Sequence, residues 1–396
     1  MKLPERGIVF WPVGTGDGIT IAVRSDIHLQ VDLRHLEAAE KDDDPRTPIV
    51  DRLVELLPRK RGRPHLAAFV LTHPDEDHCQ GFADLLDKVT IGELWFTPHI
   101  FDEYKKDLCD DAVAFRDEAE RRVKKAIGAS SVSSGDRVRL VGYDDIVKTG
   151  KYKGFPGSRL SVPGTVVTAV DDVDCADEFR AFIHAPFKDD KGGDRNDLSL
   201  AMQVTLLCGR KKLRAMLLGD LAYPTIKQIF KRSRAKDLRW NAFLAPHHCS
   251  KSVMYWRDEG EEKESLRQDM MDEIDDTQEG AFSYIVASSA PIPATNSKGD
   301  NPPHAKAREQ YEKIAALLCT QEHGSEEKPE PIVFEVTEAN VTYKSPGQDD
   351  SQDNGQNDGR DKGQGRPMKA GSVPAAVAHG RGAPSPPRQR VGFGRA

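Results

Sequence analysis

The 396-residue sequence predicts an α/β layer sandwich. Three observations lead there. Apolar runs of strand length alternate with segments whose apolar residues recur at helical spacing. Several of those runs end abruptly in clusters of His and Asp. Nothing approaches the roughly 18 consecutive apolar residues of a membrane-spanning helix.

Gly7 to Asp32 reads as a β-meander: G-I-V-F-W-P-V enters the glycine-rich G-T-G-D-G, and I-T-I-A-V, a Ser25-Asp26 turn and H-L-Q-V-D follow. D-D-D-P-R-T-P breaks the chain, and Ile49 to Leu57 has helical spacing. Leu66 to Thr72 is an apolar run of buried-strand length that ends in H-P-D-E-D-H; the helix pattern G-F-A-D-L-L-D-K-V and the strand I-G-E-L-W-F-T come next. That order of strand, loop, helix and strand is what points to layers. Residues 102–127 read as a charged amphipathic helix forming an insertion, and 129–185 as short strand-like pieces among turns. Leu198 to Leu207 and Leu213 to Leu218 read as strands paired around Gly209-Arg210-Lys211, and 224–236 as a basic helix. R-W-N-A-F-L-A is a strand ending in P-H-H-C-S. Residues 257–279 are acidic and read as a second, exposed insertion. F-S-Y-I-V-A-S-S, a helix opening at P-P-H-A-K-A, and the strands P-I-V-F-E-V and V-T-Y close a domain over 1–345. Residues 346–396 are rich in Gly, Pro and polar residues. Such a segment buries too little surface to offset its ordering entropy, so it is expected to be a disordered tail.

Charged residues reach 31%, above the roughly 25% average, so the surface is well solvated. A net charge of −7, from 57 basic and 64 acidic residues, argues against wholesale coating of nucleic acid but leaves room for a local basic groove. The first residues lack the apolar stretch of a secretory signal, and six scattered cysteines do not make a disulfide framework. A cytoplasmic protein without a membrane segment is the expectation.

The chemistry concentrates in four places. T-H-P-D-E-D-H puts His73, Asp75, Asp77 and His78 within six residues, on a loop between a buried strand and a helix. Imidazole nitrogen and carboxylate oxygen together suit Zn²⁺ and its neighbours, and side chains crowded this way repel each other without a cation. The plainer reading is a solvated turn with an Asp cap. L-L-G-D places Asp220 at a strand end, P-H-H-C-S places His247 and His248 after another strand, and P-P-H places His304 at a helix start. Each alone is equally a cap or a surface group. Together they lie at the C-terminal ends of predicted strands, where sites in α/β sheets gather.

With these residues in order, the sequence resembles the metallo-β-lactamase-fold hydrolases of the type fused to the competence (ComEC) DNA-uptake proteins. V-G-T-G-D (Val13 to Asp17), V-D-L-R (Val31 to Arg34), H-P-D-E-D-H, N-D-L-S-L (Asn196 to Leu200), L-L-G-D and P-H-H-C-S carry the resemblance, over about residues 7–310. It implies a four-layer αββα sandwich with a two-metal site, Zn²⁺ or Mn²⁺. One metal would take His73 and Asp75, the other Asp77 and His78. Asp220 would bridge, and His247 or His248 would be the last ligand. Asn196 stands where many relatives keep another ligand histidine. Leu33-Arg34 replaces the glycine that usually follows the early aspartate, and Cys249 replaces the glycine of P-H-H-G-S. Cys79 and Cys249 are thiolate candidates, with the small buried hydrophobe as the alternative. Asp17 and Asp32 either orient histidines or serve their turns.

The resemblance also implies a metal-activated hydroxide attacking a phosphodiester of DNA or RNA. Asp77 would orient that hydroxide, and His248 or His304 would protonate the leaving oxygen. Ser199 and Ser250 are candidates for phosphate contacts, or ordinary turn serines. Lys227 to Arg239 carries six basic residues against Asp237, with Phe230 and Trp240 as flanking aromatics. The stretch reads either as a phosphate-tracking stripe with base-stacking rings or as a solvated helix face beside core residues. Arg381, Arg388, Arg390 and Arg395 add charge to the tail. Two further readings stay open: a hydrolase of a small lactone, thioester or phosphate ester, and a catalytically weak regulatory subunit. Stand-alone domains of this type also occur in gene clusters with partner proteins, including anti-phage systems.

Overall fold

Strand alternation builds the middle of the molecule. In Gly7–Phe10, Ile8 and Phe10 enter one apolar cluster while Val9 enters another on the opposite face. The same alternation runs through two sheets of a computed structural model that describes residues 1–103, 108–188, 195–296, 301–325 and 327–347. All described residues fall in the first of the chain's two units, Met1–Asp350. The tail expected over 346–396 lies outside the described residues, apart from 346 and 347.

The first sheet begins with the antiparallel strands Val341–Lys344, Ile332–Val336, Gly7–Phe10, Ile19–Arg24 and Ile27–Val31. It continues in parallel through Arg63–Val70, Thr90–Phe96, Arg137–Val141 and Leu160–Ser161. The second sheet runs Ala316–Cys319, Tyr284–Ala287, Ala242–Leu244 and Lys211–Leu217 in parallel, then Ala201–Cys208, Phe179–Ala185 and Val166–Val167 antiparallel. A two-residue turn, with Gly209 at φ 55°, closes the hairpin between Ala201–Cys208 and Lys211–Leu217.

The inner faces meet in one apolar cluster that includes Ile8, Phe10, Ile21 and Leu29 from the first sheet and Met202, Val204, Ala215 and Leu217 from the second. Outside the first sheet, Ile49–Leu56, Phe82–Lys88 and Asp110–Ala126 pack on Val9, Trp11, Phe69 and Leu71. Outside the second, Tyr223–Arg232, Gln268–Asp276 and Ala305–Ile314 pack on Met216, Phe243 and Ile285. Helix, sheet, sheet and helix give the four-layer αββα sandwich. No helix among the described residues is long and apolar enough to cross a membrane.

One sequence reading needs correction: residues 257–279 are not exposed throughout, whereas 102–127 carries the expected amphipathic helix. Asp110–Ala126 buries Ala112, Phe115, Ala119 and Val123 in the first outer layer, while 104–107 lie outside the described residues. Gln268–Asp276, within the acidic 257–279, buries Met270, Met271 and Ile274 in the second. Their charge reports only the solvent side of each helix; one narrow apolar stripe is enough to seat it. Of the two readings of the aromatics flanking the basic stretch, the core reading holds: Phe230 and Trp240 are buried among the residues of the second outer layer.

His28, on Ile27–Val31, is buried with no partner for Nδ1, and burial pushes its pKa down to about 4. The folded state therefore binds the proton less well than the unfolded chain, whose histidine titrates near 6.5. This contribution is fully present above pH 6.5 and is lost as pH falls towards 4. The variant His28→Leu is expected to lose about 2 kcal/mol less stability than wild type between pH 7 and pH 5. Urea unfolding at the two pH values measures it, and parallel losses in the two proteins would refute the assignment.

Candidate metal centre

The site forms where strands of both sheets end. Asp32 follows Ile27–Val31, Thr72 and His73 follow Arg63–Val70, and Asp220 follows Lys211–Leu217. His247 and His248 follow Ala242–Leu244, and Ser288 follows Tyr284–Ala287. The backbone laces these ends together. Asp32 N–H donates to Val70 O (2.9 Å), Leu200 N–H to Thr72 O (2.9 Å), and His247 N–H to Gly219 O (3.1 Å).

Three imidazoles are anchored by Nδ1. Asp32 receives Thr72 N–H (2.8 Å), Thr72 Oγ1–H (2.6 Å) and His78 Nδ1 (2.8 Å). A carboxylate with three such donors only accepts, so the Thr72 proton points to Asp32. Thr72 Oγ1 then accepts from His73 Nδ1, 3.0 Å away. His248 Nδ1 donates to the Ser288 carbonyl at 3.1 Å. With each Nδ1–H spent on an outer partner, each neutral ring turns its Nε2 lone pair inward, the arrangement of metal-binding histidines.

The inward atoms form two groups around Asp220. His78 Nε2 lies 3.2 Å from Asp220 Oδ1 and 3.2 Å from His248 Nε2. His248 Nε2 is 3.5 Å from Asp220 Oδ2 and 3.2 Å from Asp77 Oδ2. Ligands bonded at 2.0–2.1 Å around one tetrahedral ion stand about 3.3 Å apart, so this group fits a shared cation. The second group is looser: His73 Nε2 is 3.8 Å from Asp220 Oδ2 and 3.9 Å from Asp75 Oδ2, and His247 Nε2 is 3.7 Å from Asp220 Oδ2. His73 Nε2 is buried with no hydrogen-bond partner, which a bound cation would satisfy. Asp17, Asp220, His78 and His248 each offer a ligand atom, all within 4.8 Å of one another.

The charges also ask for a cation. Burial disfavours a charged His248, yet Asp220, Asp17 and Asp77 lift its pKa to about 10. Burial opposes the charge on His78 too, and Asp220 and Asp32 raise it well above the ordinary value. His73 is pushed down to about 3 by burial and by His78. The carboxylates therefore hold positive charge on two inward-facing rings, where a divalent ion would replace protons.

Exposure separates floor from opening. The side chains of His73, His78, His248 and Asp220 are at most 5% exposed, whereas Asp77 is 34%, His247 28% and Asp75 24% exposed. The structure thus brings together His73, Asp75, Asp77, His78, Asp220, His247 and His248. His304 lies behind the Pro246–Cys249 turn: its N–H donates to Cys249 O (3.1 Å) and its Nδ1 accepts from Lys251 N–H (3.2 Å). The Ser288 carbonyl escaped sequence reading because a backbone acceptor leaves no residue signature. Cys79 donates to Asp75 O at 3.3 Å, and Cys249 is buried in the apolar outer layer, where burial pushes its thiol pKa up. Cys249 is a small hydrophobe rather than a thiolate ligand.

Three cations of the basic stretch, Lys227, Arg234 and Arg239, have partners within the fold. Lys227 pairs with Asp269 at 2.6 Å and Arg234 with Asp237 at 2.8 Å, and Arg239 donates to the Asp276 and Gln278 carbonyls.

No protein-family model matches the chain, and no curated protein matches it. Solved structures similar to it include a B3 metallo-β-lactamase described as the first with an active-site glutamic acid. That protein is 12% identical over 60% of this chain and 73% of its own, with a TM-score of 0.30. A class B3 di-zinc metallo-β-lactamase from an Alaskan soil metagenome is 12% identical over 69% and 92%, with a TM-score of 0.29. An archaeal metallo-β-lactamase superfamily protein from Sulfolobus tokodaii is 14% identical over 58% and 75%, with a TM-score of 0.26.

Purified protein dialysed against Zn²⁺ or Mn²⁺ is expected to retain about one to two equivalents of metal, and Asp220→Ala to retain much less while keeping its circular dichroism. Elemental analysis decides, and equal metal in both proteins would remove Asp220 from the centre. His247, His248 and Cys249 have φ of 51°, 52° and 67°, in the left-handed region that favours glycine. Cys249→Gly is therefore expected to be about 1–2 kcal/mol more stable than Cys249→Ala by denaturant titration. The reverse order would mean the turn carries no strain.

Proposed function

We propose that the chain is a metal-dependent hydrolase and that its substrates are phosphodiesters of DNA or RNA. One observation carries the hydrolase reading: two groups of inward-facing histidine nitrogens and carboxylates share Asp220 at the meeting of the sheets. His73, Asp75, Asp220 and His247 would hold one divalent ion, and Asp77, His78, Asp220 and His248 the other. Bound there, such ions lower the pKa of water towards neutrality and polarise the scissile oxygen.

The protein's own part is orientation. Asp32, Thr72 and Ser288 fix the rings through Nδ1, so the donor set is organised before substrate arrives. Asp77 is the most open carboxylate and stands 3.2 Å from His248 Nε2, placing it to accept a proton from an incoming water. His247 and Asp75 border the same opening. The sealed floor keeps bulk water off Asp220 and His78, which strengthens every electrostatic contact there. His304 braces the turn that carries His247 and His248 through its bonds to Cys249 and Lys251. The phosphodiester reading draws its support from the ordered matches V-G-T-G-D through P-H-H-C-S.

The test sets Zn²⁺- and Mn²⁺-loaded protein against bis(p-nitrophenyl) phosphate, single- and double-stranded DNA, RNA, a lactone and a thioester. Diester cleavage is expected, with Asp77→Ala slower by about 100-fold or more. Turnover of the lactone or thioester with every diester left intact would overturn the substrate class.

A further inference from the structure

The chain leaves Ile27–Val31 beside the H-P-D-E-D-H turn and stays paired to it. Leu33 N–H donates to His78 O at 2.9 Å, and His35 N–H to Gln80 O at 2.8 Å. Arg34, between them, is thereby carried alongside Asp77, and its side chain crosses the bare face of Gly16. A Cβ on Gly16 would stand 2.3 Å from Arg34 Cδ and 3.2 Å from Asp77 Cβ. A Cβ on Gly14 would stand 3.5 Å from Arg34 Nη1 and 3.2 Å from Arg46 Cδ. The two glycines of V-G-T-G-D therefore make room for a guanidinium next to the open carboxylate.

Arg34 is half-buried, and its Nε is buried with no hydrogen-bond partner. Among the described residues it forms no ion pair. Asp77 and Glu76 face it as attracting charges and Arg46 as a repelling one. Arg46 is held elsewhere: its Nε donates to Asp44 Oδ1 at 2.8 Å and its Nη2 to Asp44 Oδ2 at 2.5 Å. A partly desolvated guanidinium without a bonded anion is costly in a folded protein. Its planar fork is shaped for two parallel bonds to a phosphate or carboxylate.

We propose that Arg34 is a substrate-binding residue that grips a non-bridging phosphoryl oxygen at the open side of the metal centre. This rests on the phosphodiester reading and assigns the anion contact within it. The reacting phosphorus would then sit between Arg34 and the Asp77, Asp75 and His247 opening. The guanidinium would neutralise charge on the substrate without displacing a metal ligand.

The test compares wild type, Arg34→Gln and Arg34→Lys as full-length, metal-loaded proteins. The Kd for inorganic phosphate is measured by calorimetry, and KM and kcat with bis(p-nitrophenyl) phosphate and with the neutral ester p-nitrophenyl acetate. Arg34→Gln is expected to weaken phosphate binding and raise the diester KM by about 10- to 100-fold, with metal content and neutral-ester turnover unchanged. Arg34→Lys should recover part of the loss, since the charge returns without the fork. An unchanged phosphate Kd in Arg34→Gln overturns the proposal. So does a parallel fall in metal content and neutral-ester turnover, which would make Arg34 a counter-charge to Asp77. Phosphate binding that depends on Arg34 in a protein that leaves the diester intact supports the anion contact and instead removes the phosphodiester reading.

Discussion

One buried carboxylate holds the site to the fold. Asp32 stands one residue beyond a central strand at φ 53°, a left-handed conformation that a side chain rarely adopts. Its N–H is spent on Val70 O, its carbonyl accepts from Gln30 Nε2 at 2.7 Å, and its carboxylate takes both donors of Thr72 and the ring of His78. These bonds lock the ends of Ile27–Val31 and Arg63–Val70 to each other and to the short helix Glu76–Cys79. The orientations of His73 and His78 follow from that lock. A residue that touches neither substrate nor metal thus decides where the inward nitrogens point.

The electrostatics follow from the same burial. Asp17, Asp32 and Asp220 are almost inaccessible to water, and buried carboxylates persist only with compensating charge or donors. Asp32 has its donors; Asp220 is ringed by imidazoles at 3.2 to 3.8 Å. Without a cation the compensation must come from protons on His78 and His248, which is why both are lifted against the pull of desolvation. Proton and metal compete for one set of lone pairs. The unpaired Arg34 stands outside that competition, on the side substrate would enter.

Much of this was legible because the site is local in sequence. His73, Asp75, Asp77 and His78 share one loop, and Asp220 and the His247-His248 pair end apolar runs whose strand character is plain from composition. The meander over the first 32 residues and the hairpin at Gly209 were legible for the same reason: short-range pattern and turn chemistry specify them. The outer helices were obscured because charge dominates their composition while a narrow stripe, including Phe115 and Val123 in one and Met271 and Ile274 in the other, reaches inward. For the basic stretch the sequence left two readings open. Its charges are visible in the sequence, but the partners of Lys227 and Arg239, namely Asp269 and the Asp276 and Gln278 carbonyls, lie more than 35 residues away. Roles that depend on a distant backbone atom, such as the Ser288 carbonyl behind His248, have no local signature.

The strained Pro246–Cys249 turn shows how one short segment serves both halves of the centre. Consecutive side chains diverge in a strand and are rotated by roughly 100° in a right-handed helix, so neighbours rarely meet one partner. His247 and His248 form a left-handed run, and both Nε2 atoms come to 3.5–3.7 Å from Asp220 Oδ2. Such a run persists only when its surroundings over-determine it. Here Gly219 O receives the His247 N–H, Ser288 O receives the His248 ring, and the His304 N–H closes on Cys249 O. The Cys249 side chain, at a φ that favours glycine, is seated in the apolar outer layer, and that packing offsets the backbone cost of a side chain there. Two adjacent histidines can therefore serve separate groups around one carboxylate because three other elements hold their turn in place.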